Sequence, residues 1–215
     1  MNSLLAATIS TGVCCLLWLK ICQISAHKKI LTSPQTRKLI HIGTGFIFIF
    51  TWGLFPVHNA MSRFCAALIP GIVTLQFSLI GFGVMKDQQT VNSMSRTGDP
   101  RELLLGPASY GVIFVVTSIV YWMHSPIGIT ALSMLFVGDG FAGLIGQEIK
   151  TSRLPHNKSK TVGGTLAFIV SSIYMPSLFV VTIICAAVES IPLEDWDNIT
   201  VFLTCVGSLM LMGWT

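Results

Sequence analysis

The stretch IGITALSMLFVGDGFAGLIGQEIKTSRLPHNKSKTVGGT, Ile127 to Thr165, decides how the rest of the chain is read. Its apolar run, Ile127 to Val137, goes straight into Gly138-Asp139-Gly140, a lone carboxylate between two glycines. Small and apolar residues follow, then a short loop holding Lys150, Arg153, His156, Lys158 and Lys160. Gly163 and Gly164 close that loop before the next apolar run begins at Leu166. An acid at the end of a buried helix, followed by lysines and glycines, is equipment for holding a phosphate chain and its metal. Lysine supplies point charge, glycine lets backbone N–H groups approach anionic oxygens, and aspartate can ligate Mg²⁺. A membrane helix ending in a solvated basic loop has the same composition and needs no ligand, so the pattern alone leaves both readings open.

Working outward, composition sets the class. The chain is 52% hydrophobic and 10% charged, with a mean hydropathy of +0.74. Soluble domains carry about 25% charged residues, so this is a membrane protein. The net charge of +4 is therefore not a nucleic-acid signal, and no nucleic-acid partner is expected. Cys14, Cys15, Cys22, Cys65, Cys185 and Cys205 lie in or at the ends of apolar runs and form no C-x-x-C pair. They read as buried inert thiols, without a zinc site or a disulfide framework.

Seven apolar stretches can be drawn at the length of about 20 residues that a spanning helix needs: 3–24, 39–56, 62–83, 107–124, 127–147, 164–187 and 199–214. The first lacks a basic start and a small-x-small cleavage site, and reads as a retained span. Lys and Arg cluster in alternate loops: counting the loop edges, where Lys20 lies, twelve of the thirteen belong to the loops after the first, third and fifth spans, and Arg63 is the exception. The positive-inside rule places those three loops together on the cytosolic or an equivalent side. The expectation is an all-α, polytopic integral membrane helical bundle of about seven transmembrane helices, with the N-terminus outside and one domain over residues 1–215.

Each internal loop carries polar residues of interest. Arg37-Lys38-Leu39-Ile40-His41 opens the second span, and Arg37 and His41, four apart, share a helix face. Gly43 and Gly45 follow and permit close helix packing. A basic interfacial anchor explains Arg37 and Lys38, while His41 sits at a boundary where a polar group needs a partner. In Ser95-Arg96-Thr97-Gly98-Asp99-Pro100-Arg101-Glu102, Asp99 reads as an N-cap, Pro100 as the first helical residue and Gly106-Pro107 as the end of a short helix. Arg96 and Arg101 then remain to face the compartment of the Asp139 loop. The acidic turn Glu189 to Asp197 falls opposite by alternation, and joining it to the same chemistry would require a re-entrant segment.

Four stretches then coincide in order: RKLIHIGTG, SRTGDPRELLLGP, GDGFAGLIG with LPHNKSKTVGGT, and VESIPLEDWDN. Together they resemble the polyprenol kinase family, closest to phytol kinase and farnesol kinase, more distantly dolichol kinase and the CTP-dependent diacylglycerol kinases. The resemblance covers the chain from Arg37 onward, leaving residues 1–36 as a first span and basic loop before a family-like core over 37–215. It implies a membrane-embedded kinase domain that transfers the terminal phosphate of a nucleoside triphosphate, CTP, to an isoprenoid alcohol such as phytol or farnesol, with Mg²⁺. In that reading Asp139 holds the metal or orients the alcohol, and His41 is a polar or acid–base contact. Lys158, Lys160, Gly163, Gly164, Arg37, Lys38, Arg96 and Arg101 bind the nucleotide. The implied setting is the bilayer of a chloroplast membrane or the endoplasmic reticulum, with no protein partner indicated. Gly143 stands where plant-type relatives carry an acid, Gln147-Glu148 stand where the family tends to be basic, and Trp196 interrupts a usual acidic pair. A phosphatidate cytidylyltransferase-like enzyme, releasing pyrophosphate, and a non-enzymatic transporter with Asp139 on its path are the alternatives.

Overall fold

A backbone that crosses hydrocarbon must satisfy its N–H and C=O groups internally, and this chain does so with helices. The computed structural model describes residues 2–123, 125–172, 178–193 and 196–214. The chain divides into two compact units, Met1–His124 and Ser125–Thr215.

The first unit contains α1 (Asn2–His27), α2 (Ser33–Thr51), a 3₁₀ turn (Trp52–Leu54), α3 (Ser62–Gly81), α4 (Gln88–Met94) and α5 (Glu102–Val120). Helices α1, α3 and α5 are long and apolar enough to cross a membrane. They present Leu5, Ile9, Leu16, Leu68, Ile72 and Val112 outward, a surface suited to lipid rather than to water. Helix α2 starts before the expected span because Thr32 and Gln35 form a capping box that supplies partners for its first turn. Trp18 packs α1 on α2: its indole N–H donates to the Leu39 carbonyl at 3.0 Å. A Cβ at Gly43 would come within 2.2 Å of that indole, which is why glycine stands there.

Two features depart from expectation. The stretch before the second motif holds α4, capped by Asp87, whose carboxylate accepts from the Thr90 N–H at 3.0 Å and the Thr90 hydroxyl at 2.6 Å. Val91 and Met94 of α4 bury against Cys22, Ile40, Ile80 and Leu103, and the Ser33 hydroxyl donates to the Asn92 carbonyl at 2.9 Å. The first two basic loops therefore meet at one end of this unit. Second, Gly106-Pro107 does not end a helix. Pro107 lies inside α5, near its start, where the missing N–H costs a single backbone bond and the apolar run continues to Val120.

The second unit contains α6 (Pro126–Ser133), a π-helical segment (Met134–Asp139), α7 (Gly140–Glu148), α8 (Val162–Ser172), α9 (Phe179–Glu189) and α10 (Asp197–Leu211). The first three form one path, Pro126–Glu148, long and apolar enough to cross a membrane. Asp139 is thus not at a helix end, as its flanking glycines suggested. Glycine costs a helix only about 1 kcal/mol per residue, and packing requires it here. A Cβ at Gly138 would lie 2.8 Å from the Phe168 ring, and one at Gly164 would lie 2.8 Å from the Ala142 carbonyl, so these glycines bring α8 close against the Asp139 helix.

Helices α8 and α9 have eleven residues each, about 16 Å at 1.5 Å per residue, roughly half the hydrocarbon thickness. They pack on one another. Among the described residues there is no β-strand; Arg153 and Thr161 form an isolated bridge that closes the loop between α7 and α8.

Candidate active site

The loop from Ile149 to Thr161 is held by its own side chains. Thr161 caps α8, its hydroxyl accepting from the Gly164 N–H at 3.1 Å, and the Thr151 hydroxyl accepts from the Gly163 N–H at 2.8 Å. Both glycine N–H groups, expected to face phosphate, are taken up by the start of the helix, whose first donors need partners. The Arg153 guanidinium donates to the Lys158 carbonyl at 2.6 Å. Asn157, 5% exposed, accepts from the Ser159 N–H at 3.0 Å and its hydroxyl at 2.7 Å. Lys150, Arg153 and Lys158 remain exposed.

This loop meets the acidic turn. The Asn157 amide donates to the Ser190 carbonyl at 3.0 Å, and the His156 Nε2 lies 3.1 Å from the Ser190 hydroxyl. Lys160 donates to the Glu189 carboxylate, and Asp197 stands 3.8 Å from the same ammonium. Glu189 is 2% exposed. Burial alone would lower the pKa of Lys160, but Glu189, Asp139 and Asp197 outweigh it and hold the ammonium above the ordinary lysine value. The lysine therefore stays charged across the neutral range.

The expected placement of the acidic turn opposite the loop is thus overturned for Glu189 and Asp197; Glu194 and Asp195 lie outside the described residues. The reason is that α8 leaves the basic loop and α9, packed on it, returns its C-terminal end to that loop. Glu189 and Asn157 are the polar groups that sequence reasoning missed. The buried, paired character of Glu189 was signalled only by its place directly after an apolar run.

Asp139 is 5% exposed, at the last residue of the π segment, where the i→i+4 ladder widens; such segments recur at functional sites. Among the described residues no three His, Cys, Asp or Glu side chains form a ready metal cluster.

The remaining candidates belong to the first unit. Arg37, Lys38 and His41 sit half-buried in α2. The His41 ring lies 4.1 Å from that of Tyr110, whose hydroxyl donates to the His41 carbonyl at 2.9 Å. Gly98, at φ +88°, makes the turn after Arg96 possible. The Asp99 carboxylate accepts from the Arg101 N–H at 2.9 Å, but Asp99 is not the expected N-cap: α5 begins at Glu102 with Arg101 at the cap position, and Glu102 reaches back to the N–H groups of Arg96 and Thr97. The Arg96 and Arg101 side chains are exposed.

Comparison with known proteins gives a consistent result. The chain is 39% identical to probable phytol kinase 3, chloroplastic, of Glycine max, over 95% of this chain and 72% of that protein. Probable phytol kinase 2, chloroplastic, of Oryza sativa subsp. japonica is 35% identical over 95% of this chain and 75% of its own length. Farnesol kinase, chloroplastic, of Arabidopsis thaliana is 36% identical over 81% of this chain and 64% of its own length. No family model matches, and no solved structure does.

Proposed function

The chain belongs to the polyprenol kinase family, and from that premise we propose that it phosphorylates an isoprenoid alcohol of the phytol or farnesol class, with CTP as donor. The relatives' names support the acceptor class and the kinase reaction; the donor follows from the motif resemblance. The observation that carries the reading is a carboxylate, Asp139, buried in an otherwise apolar helix packed against α8, whose preceding basic loop holds the paired Lys160. Phosphoryl transfer asks for positioning and charge neutralisation more than for covalent chemistry by the protein, and Asp139 and Lys160 supply both signs of charge, one from within a membrane helix and one from the loop that follows it.

Lys158 and Lys160 are the proposed triphosphate contacts of the second unit, and the exposed Arg153 and Lys150 add to their field. Gly163 and Gly164 serve through Thr151 and Thr161, which fix the loop. Arg37, Lys38, Arg96 and Arg101 are proposed nucleotide contacts of the first unit, with His41 as a polar or acid–base contact on the acceptor. Mg²⁺ fits this residue set: it binds through one or two carboxylates together with substrate phosphates rather than in an all-protein cage, and Asp139 is the proposed ligand. When bound it would neutralise charge developing on the transferred phosphoryl group. The relatives are named chloroplastic, and we place this chain in a chloroplast membrane, as a multi-pass protein.

The test is to incubate membranes containing the full chain with each labelled nucleoside triphosphate and a panel of prenyl alcohols. Prenyl monophosphate formed with release of nucleoside diphosphate is the expected product. Pyrophosphate release would instead identify a nucleotidyl transfer, and no product with any alcohol would remove the kinase reading.

A further inference from the structure

Lys160 is a half-buried lysine set between two carboxylates from two elements, Glu189 from the end of α9 and Asp197 from the start of α10, with the charge of Asp139 in the π segment adding to theirs. Glu189 takes its hydrogen bond, and Asp197 at 3.8 Å contributes charge without one. Among the described residues the ammonium makes no other hydrogen bond, so two of its three N–H donors are left for a ligand. Its side chain is 25% exposed, whereas Glu189 is 2% exposed and cannot itself meet a soluble molecule. An isolated lysine on a solvated loop samples many rotamers and loses that freedom on binding. One tethered by a buried acid has already lost it, which is how preorganisation raises affinity.

We infer that Glu189 is a positioning residue for the nucleotide: its buried carboxylate fixes the Lys160 ammonium at the mouth of the basic loop, where it meets a phosphate of the incoming triphosphate. This rests on the nucleotide site proposed above and gives the α8–α9 pair a purpose. By returning the end of α9 to the loop, it delivers the acid that holds the lysine. The anchoring is reinforced next door, where Asn157 and His156 bind Ser190, the residue after Glu189. Glu189 and Ser190 thereby join the nucleotide site, although Glu189 acts only through Lys160.

The experiment compares Lys160→Met, Glu189→Gln and their combination in the full chain in membranes, measuring separately the KM for the triphosphate and for the alcohol. Glu189→Gln should raise the triphosphate KM about tenfold, the scale of a charge-assisted contact loosened, and leave the alcohol KM in place. It should add nothing in the Lys160→Met background, and Glu189→Asp should recover part of the loss. Should Glu189→Gln fold poorly, Lys160→Met/Glu189→Met replaces the pair with apolar groups of similar volume, a change buried ion pairs tolerate. A triphosphate KM in that variant equal to that of Lys160→Met supports the inference, and a wild-type KM overturns it. A raised KM in Lys160→Met with none in Glu189→Gln, or additive effects of the two, also overturns it. Binding of labelled CTP to the purified chain, without alcohol, should show the same order of variants. That readout survives if the acceptor proves not to be a prenyl alcohol, so the two readings fail separately.

Discussion

At the scale of single residues, Asp139 carries the sharpest test of the proposed chemistry. Its carboxylate is buried, and removing the charge while keeping the shape leaves the packing of Gly138 against Phe168 untouched. Asp139→Asn should therefore insert and fold as the parent does, yet lose activity by roughly 10²–10³-fold, the scale of losing one positioned electrostatic contact to a transition state. Initial rates on isolated membranes, normalised to protein content, check it; near-parental activity would show that Asp139 is structural. Gly143 lies one helical turn further on, so Gly143→Asp places a second acid on the same face. It should lower the Mg²⁺ concentration needed for half-maximal rate, read from a metal titration. Asp139 and Lys160 were legible in the sequence because their chemistry is visible in their neighbours, a lone acid among glycines and a lysine in a basic loop. Glu189 and Asn157 were not, since their partners stand 29 and 33 residues away and only tertiary structure joins them.

Among the elements, the contact between α7 and α8 and the short helix α4 carry separate tests. A side chain at Gly164 would drive a Cβ against the backbone carbonyl of Ala142, an atom that cannot swing aside. Gly164→Val should cost on the order of 1–3 kcal/mol by overpacking, with Gly164→Ala milder, and thermal unfolding in detergent orders the two. Helix α4 depends on its cap. The hydrogen bond from Thr90 foremost holds the Asp87 carboxyl below its usual pKa. A depressed carboxylate contributes stability that is present above its unfolded pKa and fades as pH falls through the folded one. Asp87→Ala should lower stability by about 1 kcal/mol at neutral pH, and the gap from the parent should close in acid. The long apolar helices were readable from composition, since lipid demands that run of residues. Helix α4 was not, because seven residues hold too few turns for a periodic pattern, and Pro107 misled because a proline inside a membrane helix is tolerated where neighbouring helices and local adjustment absorb the freed backbone group.

For the molecule as a whole, the open question is how many times the chain crosses. Counting apolar runs and alternating the loops gives seven crossings, and that count treats 164–187 as one span. The contact between Lys160 and Glu189 contradicts that step. A straight helix from one to the other would separate them by about 43 Å at 1.5 Å per residue, far beyond the reach of both side chains. Alternation failed here because hydropathy measures how apolar a run is and not whether it turns back. Its other output survives within the first unit, where Ser33 and Asn92 bring the first two basic loops to one end. The decisive measurement places single cysteines at Lys158 and Leu193, both exposed, after replacing Cys14, Cys15 and Cys65 and leaving the buried Cys22, Cys185 and Cys205. An impermeant maleimide applied to sealed vesicles should modify both from the same face, and a second pair at Lys28 and Arg96 should likewise share one face. Labelling of positions 158 and 193 from opposite faces would make 164–187 a true crossing, and would dissolve both the joined loop and turn and the role assigned to Glu189.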